Sequence, residues 1–380
     1  MVQPQTQVAG WIDQPSAFQF MLADLLNQPI IAVDTESNSL FAYQEQVCLI
    51  QFSTGEADYL VDPLALEDLS GLGELFADAR IEKVFHAAEY DLICLTRDFG
   101  FNFTNLFDTM IAGRTLGREA VGLSSMLEAE FGVTLDKRCQ RADWSQRPLP
   151  QRLQEYARLD THYLIPLREL LESALKNSGR WELAQEDFRR MHRVNLPVAG
   201  DVTSQCWRAA RNHYLSPLQT AVLKALCEYR DQQAQRANLP LFKVFSDQAL
   251  VQVVLVMPEK ISDFNQIEGV SPRILHRHSR ELLKIVNQTH TITPLQRTSS
   301  RRPSEEYSLR LEALRNWRKK AGEALGIGSD VVLPKDLLEG IAAVNPRSPQ
   351  ELEDLMREVP WRFERFGSQI SGVLNQGDQA

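Results

Sequence analysis

Three acidic clusters carry the residue types and spacing from which chemistry could be built. Asp34 and Glu36 stand two apart in the run Ala32-Val33-Asp34-Thr35-Glu36. Side chains at i and i+2 of a strand share a face, so both carboxylates point the same way. Like charges held together are unfavourable unless a cation or a proton intervenes. For the pair alone, a polar strand end facing solvent is the plainer account. Asp91 follows Lys83-Val84-Phe85 within an otherwise apolar helical stretch, where a first-turn acid is also favoured by the helix dipole. His86, just ahead of it, is either a ligand or substrate contact or a hydrogen-bonded loop histidine. Tyr156 and Asp160 are four apart, which puts phenol and carboxylate on one helical face. Taken singly, that pair also reads as a surface tyrosine beside a solvated acid.

The elements that must position these groups alternate along the first 170 residues. Pro29–Val33, Val47–Phe52, Tyr59–Val61 and Lys83–Phe85 read as strands; Ala87–Asp98 and Leu153–Leu171 carry helical periodicity. Strands mixed with amphipathic helices imply an α/β unit whose sheet is covered by helices. Beyond about residue 172 the pattern is nearly all helical. There the chain repeats at a constant offset of 88: Ala225-Leu226 aligns with Ala313-Leu314, Tyr229-Arg230 with Trp317-Arg318, Leu250 with Leu338 and Pro258 with Pro346. What repeats is a core and its turns. Between the copies, Asn287–Glu306 is rich in Thr, Ser, Pro and Arg and reads as a linker.

Composition sets outer bounds. A length of 380 residues suggests two or three domains, and a charged fraction of 24% argues against wholesale disorder. The net charge of −9 would by itself argue against a nucleic-acid partner. Its distribution reverses that: residues 1–135 hold 5 basic and 20 acidic residues, whereas residues 171–320 hold 24 and 15. A phosphate backbone could be held by the basic middle of the chain. The five cysteines include no C-x-x-C pair and suggest neither a disulfide framework nor a zinc site, only buried thiols. Residues 1–10 lack the basic and apolar regions of a signal peptide. The longest apolar run, Ala249–Met257, is too short to span a membrane. A soluble cytoplasmic protein without a membrane partner is expected.

Together the three clusters, in the order D-x-E, D, Y-x-x-x-D, resemble the DEDDy group of 3′–5′ exonucleases. The flanking segments resemble the ribonuclease D family: Cys48-Leu49-Ile50-Gln51, Asp62-Pro63-Leu64, Phe107-Asp108-Thr109, Leu135-Asp136-Lys137 and Asp143-Trp144-Ser145-Gln146-Arg147-Pro148-Leu149. The similarity is dense over about residues 20–175, and the helical repeat resembles two copies of the HRDC domain. Family members often carry an aromatic residue after the D-x-E; here Ser37 stands there, which affects only a local substrate contact.

The resemblance implies a ribonuclease H-like exonuclease domain, a mixed sheet flanked by helices, followed by two small all-α domains. The expected boundaries are 1–175 for the exonuclease domain (with 1–10 disordered), 176–214 for a helical connector, 215–290 for the first HRDC-like domain, 291–305 for a linker and 306–376 for the second. It also implies two divalent cations, Mg²⁺ or Mn²⁺, on Asp34, Glu36, Asp91 and Asp160, with Tyr156 orienting the attacking water. Phenol is a poor base at neutral pH. The expected activity is 3′–5′ exoribonuclease release of 5′-mononucleotides by a monomer, from the 3′ ends of structured RNA such as tRNA precursors. A DNA 3′–5′ exonuclease and a nucleic-acid-binding protein with an inactive exonuclease fold are the competing readings; the full set of acids and tyrosine argues against the last. Expected nucleic-acid contacts are His86, Trp144 and Arg147 near the catalytic set, and Arg273, Arg277, Arg280, Arg318 and Lys319 in the repeats. For Trp144 the alternative is a buried indole under a solvated loop; for the helical arginines it is a solvated helix face.

Overall fold

The computed structural model describes residues 10–193, 206–208, 210–288, 293–295 and 304–377. The disorder expected over 1–10 falls, apart from Gly10, outside the described residues, as do most of the 291–305 linker and part of the 176–214 connector. The chain forms two compact units, one of residues 1–37, 47–196 and 303–380 and the other of 38–46 and 197–302.

A six-stranded mixed sheet organises the first unit, in the order β1 (Gly10–Ile12), β4 (Asp58–Val61), β3 (Val47–Ser53), β2 (Ile30–Ser37), β5 (Glu82–Phe85), β6 (Leu106–Asp108). β2 pairs antiparallel with β3 and parallel with β5. All seven residues of β3 are buried, as expected for a central strand covered on both faces. On one face, Ile31, Val33, Ile50 and Phe52 pack with helices α1 (Pro15–Leu26), α2 (Ser70–Ala77) and α3 (Glu89–Phe99). On the other, Ala32, Leu49, Leu60 and Val84 pack with α6 (Gln151–His162), α7 (Leu164–Asn177) and α8 (Trp181–Arg190). The shorter α4 (Thr109–Thr115) and α5 (Leu123–Phe131) join this second layer.

Two features differ from the periodicity of the sequence. β2 continues through the D-x-E to Ser37, and its pairing with β3 shifts register only between Glu36 and Ser37. The single helix expected over Leu153–Leu171 is two, α6 and α7, parting at Tyr163. Pro166 has no N–H for the His162 carbonyl and its ring crowds that carbonyl, so the helix breaks one turn upstream.

The remainder of the first unit is the second repeat, with helices Glu305–Leu325, Lys335–Val344, Pro349–Met356 and Pro360–Gly377 around Leu314, Val332, Leu338, Ile341 and Ile370. It docks on α8 through Arg362, which is fully buried and pairs with Glu186 and Asp187 at 2.8 Å each. Arg114 pairs with Asp330, Arg190 with Asp336 and Arg193 with Glu358 at the same contact.

The second unit contains the first repeat, with helices Pro217–Ala237, Asp247–Val256 and Pro272–Asn287 around Leu226, Val254, Phe264 and Leu282. Each begins 88 residues before its counterpart in the other copy. Cys206 and Cys227 form a disulfide here, while Cys48, Cys94 and Cys139 are buried and take no part in a disulfide. The sequence spacing does not announce that bond because packing, not a local motif, brings the two Cα atoms to 6.5 Å. Among the described residues, no helix is long and apolar enough to cross a membrane.

Candidate active site

β2 presents Asp34 and Glu36 on the face of the sheet where Ala32 packs, and α6 brings Asp160 over the same face. Carboxylate oxygens of the three lie within 4.8 Å of one another. Asp34 and Glu36 are half-buried; Asp160 is 5% exposed. Asp91 is held from the other side. Thr35, between the two strand acids, donates to its Oδ1 from both the backbone amide (3.1 Å) and the hydroxyl (2.5 Å).

Two supports fix the helices that carry these groups. α3 starts from a turn at His86–Ala88 in which Ala87 takes a left-handed φ of 61°. The Ala88 amide donates to Asp108 Oδ2 at 2.7 Å, and Asp108 Oδ1 accepts the amides of Met110 and Ile111 to cap α4. The Thr109 hydroxyl donates to the Phe85 carbonyl and therefore accepts from His86 Nδ1 at 2.8 Å. α6 is also tied to the sheet by residues other than Tyr156 and Asp160: Arg158 donates to Asp58 at 3.0 Å, His162 Nδ1 lies 3.0 Å from the same carboxylate, and Thr161 bonds Ser53 at 2.7 Å. These bonds fix the rotation that aims Tyr156 and Asp160 together.

The electrostatics of the cluster follow from crowding acids where water is scarce. Burial, then the charges of Asp91, Asp160 and Glu36, raise the Asp34 carboxyl well above its usual range. Glu36 is raised by burial and by Asp160 and Asp91. Burial pushes Asp91 up to about 7 and Asp160 up to about 8, the latter against a lowering hydrogen bond from Tyr156. The Tyr156 phenol is raised by burial and by the neighbouring acids. An all-oxygen set in mutual repulsion fits a hard divalent cation, which would relieve the repulsion that otherwise calls for protons.

These groups line one cleft of about 510 Å³ with His86, Tyr90, Lys137, Gln140 and the start of α5 at Gly122–Ser125. His86 thus lies beside the acids. Thr35, Asp108 and Gln140 escape a reading by residue chemistry. Only Asp108 leaves a local signal, an Asp-Thr helix start; Gln140, whose side chain bonds Tyr156, leaves none.

Three expected nucleic-acid contacts are corrected. Trp144 is 1% exposed and packs against the Tyr156 ring with centroids 6.2 Å apart, so it offers no face for a base to stack on. Arg147 forks onto Asp62 at 2.6 and 2.7 Å and donates to the Cys48 and Trp144 carbonyls, which leaves its guanidinium committed to the fold. Arg318 donates to the Leu333 carbonyl, and 88 residues earlier Arg230 makes the same bond to Phe245, so it is a recurring core support. Arg273, Arg277 and Arg280 are exposed on one helix of the second unit, and Lys319 is exposed in the first.

The family model for a 3′–5′ exonuclease matches residues 9–176, and that for the HRDC domain matches 219–286 and 309–374. Ribonuclease D of Escherichia coli is 34% identical over 266 residues, covering 70% of each chain. Ribonuclease D of Pseudomonas paraeruginosa is 28% identical over 96% of this chain and 97% of its own. The exosome complex exonuclease RRP6 of Saccharomyces cerevisiae is 34% identical over 66% of this chain, which spans only 36% of that protein. The crystal structure of E. coli RNase D superposes with a TM-score of 0.71 at 26% identity, over 97% of this chain and 99% of that one. Identity of 34% over 70% of both chains with one ribonuclease D, and a fold shared with it along nearly its whole length, show that this chain belongs to the ribonuclease D family.

Proposed function

We propose that the protein is a metal-dependent 3′–5′ exoribonuclease that shortens structured RNA, tRNA precursors included, one 5′-mononucleotide at a time. The observation that carries this reading is the convergence of Asp34, Glu36 and Asp160 within 4.8 Å in the lining of one cleft. In this reading Asp34, Glu36 and Asp160 would hold one cation, Mg²⁺ or Mn²⁺, and Asp34 and Asp91 would help to hold a second. Two such ions stabilise the attacking and leaving oxygens of a phosphodiester. Tyr156 orients the attacking water, a role that suits a phenol whose pKa is raised and which therefore keeps its proton. His86 and the exposed Lys137 line the cleft where the terminal nucleotide would sit. Residues 1–175 carry the chemistry; 215–290 and 306–376 serve as the helical RNA-binding domains, with Arg273, Arg277, Arg280 and Lys319 as phosphate contacts. We assign it to the cytoplasm as a monomer.

RNA and DNA oligonucleotides of one sequence, labelled at the 3′ end, test the reading together. The expected result is release of a labelled 5′-mononucleotide from RNA with Mg²⁺ or Mn²⁺ and none with chelator. Preferential loss of label from DNA would redirect the substrate class, and turnover in chelator would remove the metal mechanism.

A further inference from the structure

Gln51 occupies a position in the sheet that its chemistry does not explain by packing. It lies directly opposite Asp34 in the β2–β3 ladder and opposite Leu60 in the β3–β4 ladder. Directly opposed residues of an antiparallel pair point to one face, with Cβ atoms about 4.5–5.5 Å apart. Gln51 therefore shares the face of Asp34, the face α6 covers. Its neighbours along β3 on that face are Leu49, in the apolar layer, and Ser53, bonded to Thr161 of α6. Gln51 is 0% exposed, and neither its amide nitrogen nor its amide oxygen has a hydrogen-bond partner among the described residues. Buried polar side-chain atoms are seldom left unpaired, and a leucine would fill this layer without that penalty.

Across the ladder stands an acceptor of the matching kind, the Asp34 carboxyl, which the amide faces without bonding it in this arrangement. An amide N–H is the neutral donor that suits a carboxylate acceptor, and Asp34 stands directly across the ladder on the same face. Carboxylates that bind metal are themselves oriented by outer hydrogen bonds, and losing such a bond commonly costs about 10- to 100-fold in metal affinity or activity. We infer that Gln51 is a positioning residue for the cation site: its Nε2 donates to the Asp34 carboxylate of the metal-loaded site and holds it in the orientation that binds metal. This rests on the metal-dependent reading above. It adds to the acidic set a neutral residue that touches neither substrate nor cation.

The test is Mn²⁺ binding by calorimetry to the full-length, chelator-stripped protein, with Gln51→Met and Gln51→Asn beside the unaltered chain. Methionine keeps the volume without the donor; asparagine keeps the amide but withdraws it by one methylene. Both are expected to weaken Mn²⁺ binding about 10- to 100-fold and to slow single-turnover cleavage at saturating Mn²⁺, with RNA affinity in chelator unchanged. A purely structural glutamine would move only the melting temperature. Mn²⁺ isotherms that overlay the unaltered protein's would overturn the inference and leave the metal reading standing. An unaltered chain that binds no Mn²⁺ would overturn both. Failure of both variants to fold would assign Gln51 to the core and end the proposal.

Discussion

Thr35 and Asp91 are bonded twice: amide and hydroxyl of the threonine both donate to Oδ1 of the aspartate, at 3.1 and 2.5 Å. The residue separating two strand carboxylates thus fastens the acid of α3 to the same strand. Replacing Thr35 with Val keeps the β-branched shape and the amide bond but deletes the hydroxyl. Single-turnover cleavage is expected to fall about 10- to 100-fold, with little change in RNA affinity. An unchanged rate would show that Asp91 needs no such anchor.

Asp34→Asn is expected to abolish cleavage while leaving RNA binding largely intact, since it removes a carboxylate from the centre of the cluster without changing volume. Binding by fluorescence anisotropy in chelator, beside turnover in saturating Mn²⁺, separates the two effects. Retained turnover would refute the assignment. Tyr156→Phe should slow the chemical step about 100-fold, as loss of an oriented reactant does, and leave binding unaltered.

The raised carboxyls give the metal-free protein a characteristic pH response. Asp91 and Asp160 hold protons in the folded state up to about 7 and 8, whereas the unfolded chain releases them near 4. Between those limits the native state binds more protons, so stability falls as pH rises and levels off above about 8. Melting temperatures in chelator should therefore decline from pH 5 to pH 8 more steeply than those of Asp160→Asn. Saturating Mn²⁺ should flatten the slope, because cations replace protons as the compensating charge. A metal-free slope equal to that of the variant would contradict the raised values.

Arg362 supports a prediction about the docking of the second repeat. Removing one partner of a buried charge pair costs about 3–5 kcal/mol, because the other charge stays buried without compensation. Arg362→Ala takes the guanidinium from both Glu186 and Asp187 and leaves Glu186 only the backbone amides of Trp361 and residue 362, in the first turn of the helix Pro360–Gly377. Limited proteolysis should then release a fragment from near residue 303 to the C-terminus; resistance equal to the unaltered protein's would show that the surface pairs suffice.

The basic residues divide into two groups with different expected phenotypes. Reversing Arg273, Arg277 and Arg280 together should weaken RNA binding and flatten its dependence on salt, by about 0.7 in log–log slope for each single-strand phosphate no longer neutralised. Arg318→Met should lower stability and leave that slope unaltered. A salt titration by filter binding distinguishes them, and equal effects would return Arg318 to the RNA surface.

The meeting of the acids and the tyrosine was legible because their spacing is that of their elements: period two puts Asp34 with Glu36, and a spacing of four puts Tyr156 with Asp160. The four strands read from apolar runs are present, whereas β1 and β6 have only three residues each, too few for a period to show. The helix break at Tyr163 was written in Pro166 and hidden by apolar residues that keep the same phase through it. Trp144 and Arg147 misled for a different reason. An aromatic among cations describes a stacking platform and a buried strut equally well, and only Asp62, 85 residues away, decides between them. Gln51 could not be picked out at all, since an unpaired amide is defined by what surrounds it.

The two helical repeats keep their helix starts in step but not the residues with which one of them docks. Counterparts 88 positions upstream of Arg362, Asp330, Asp336 and Glu358 are Ile274, Phe242, Gln248 and Val270. Every charge at the contact is missing from the other copy. Read as a duplication, the pair records a division of labour: one copy carries the charges that pair with α4, α8 and the residues after it, while its sibling carries the exposed Arg273, Arg277 and Arg280 instead. Charge-swapping at these four sites would ask whether attachment can be moved from one sibling to the other.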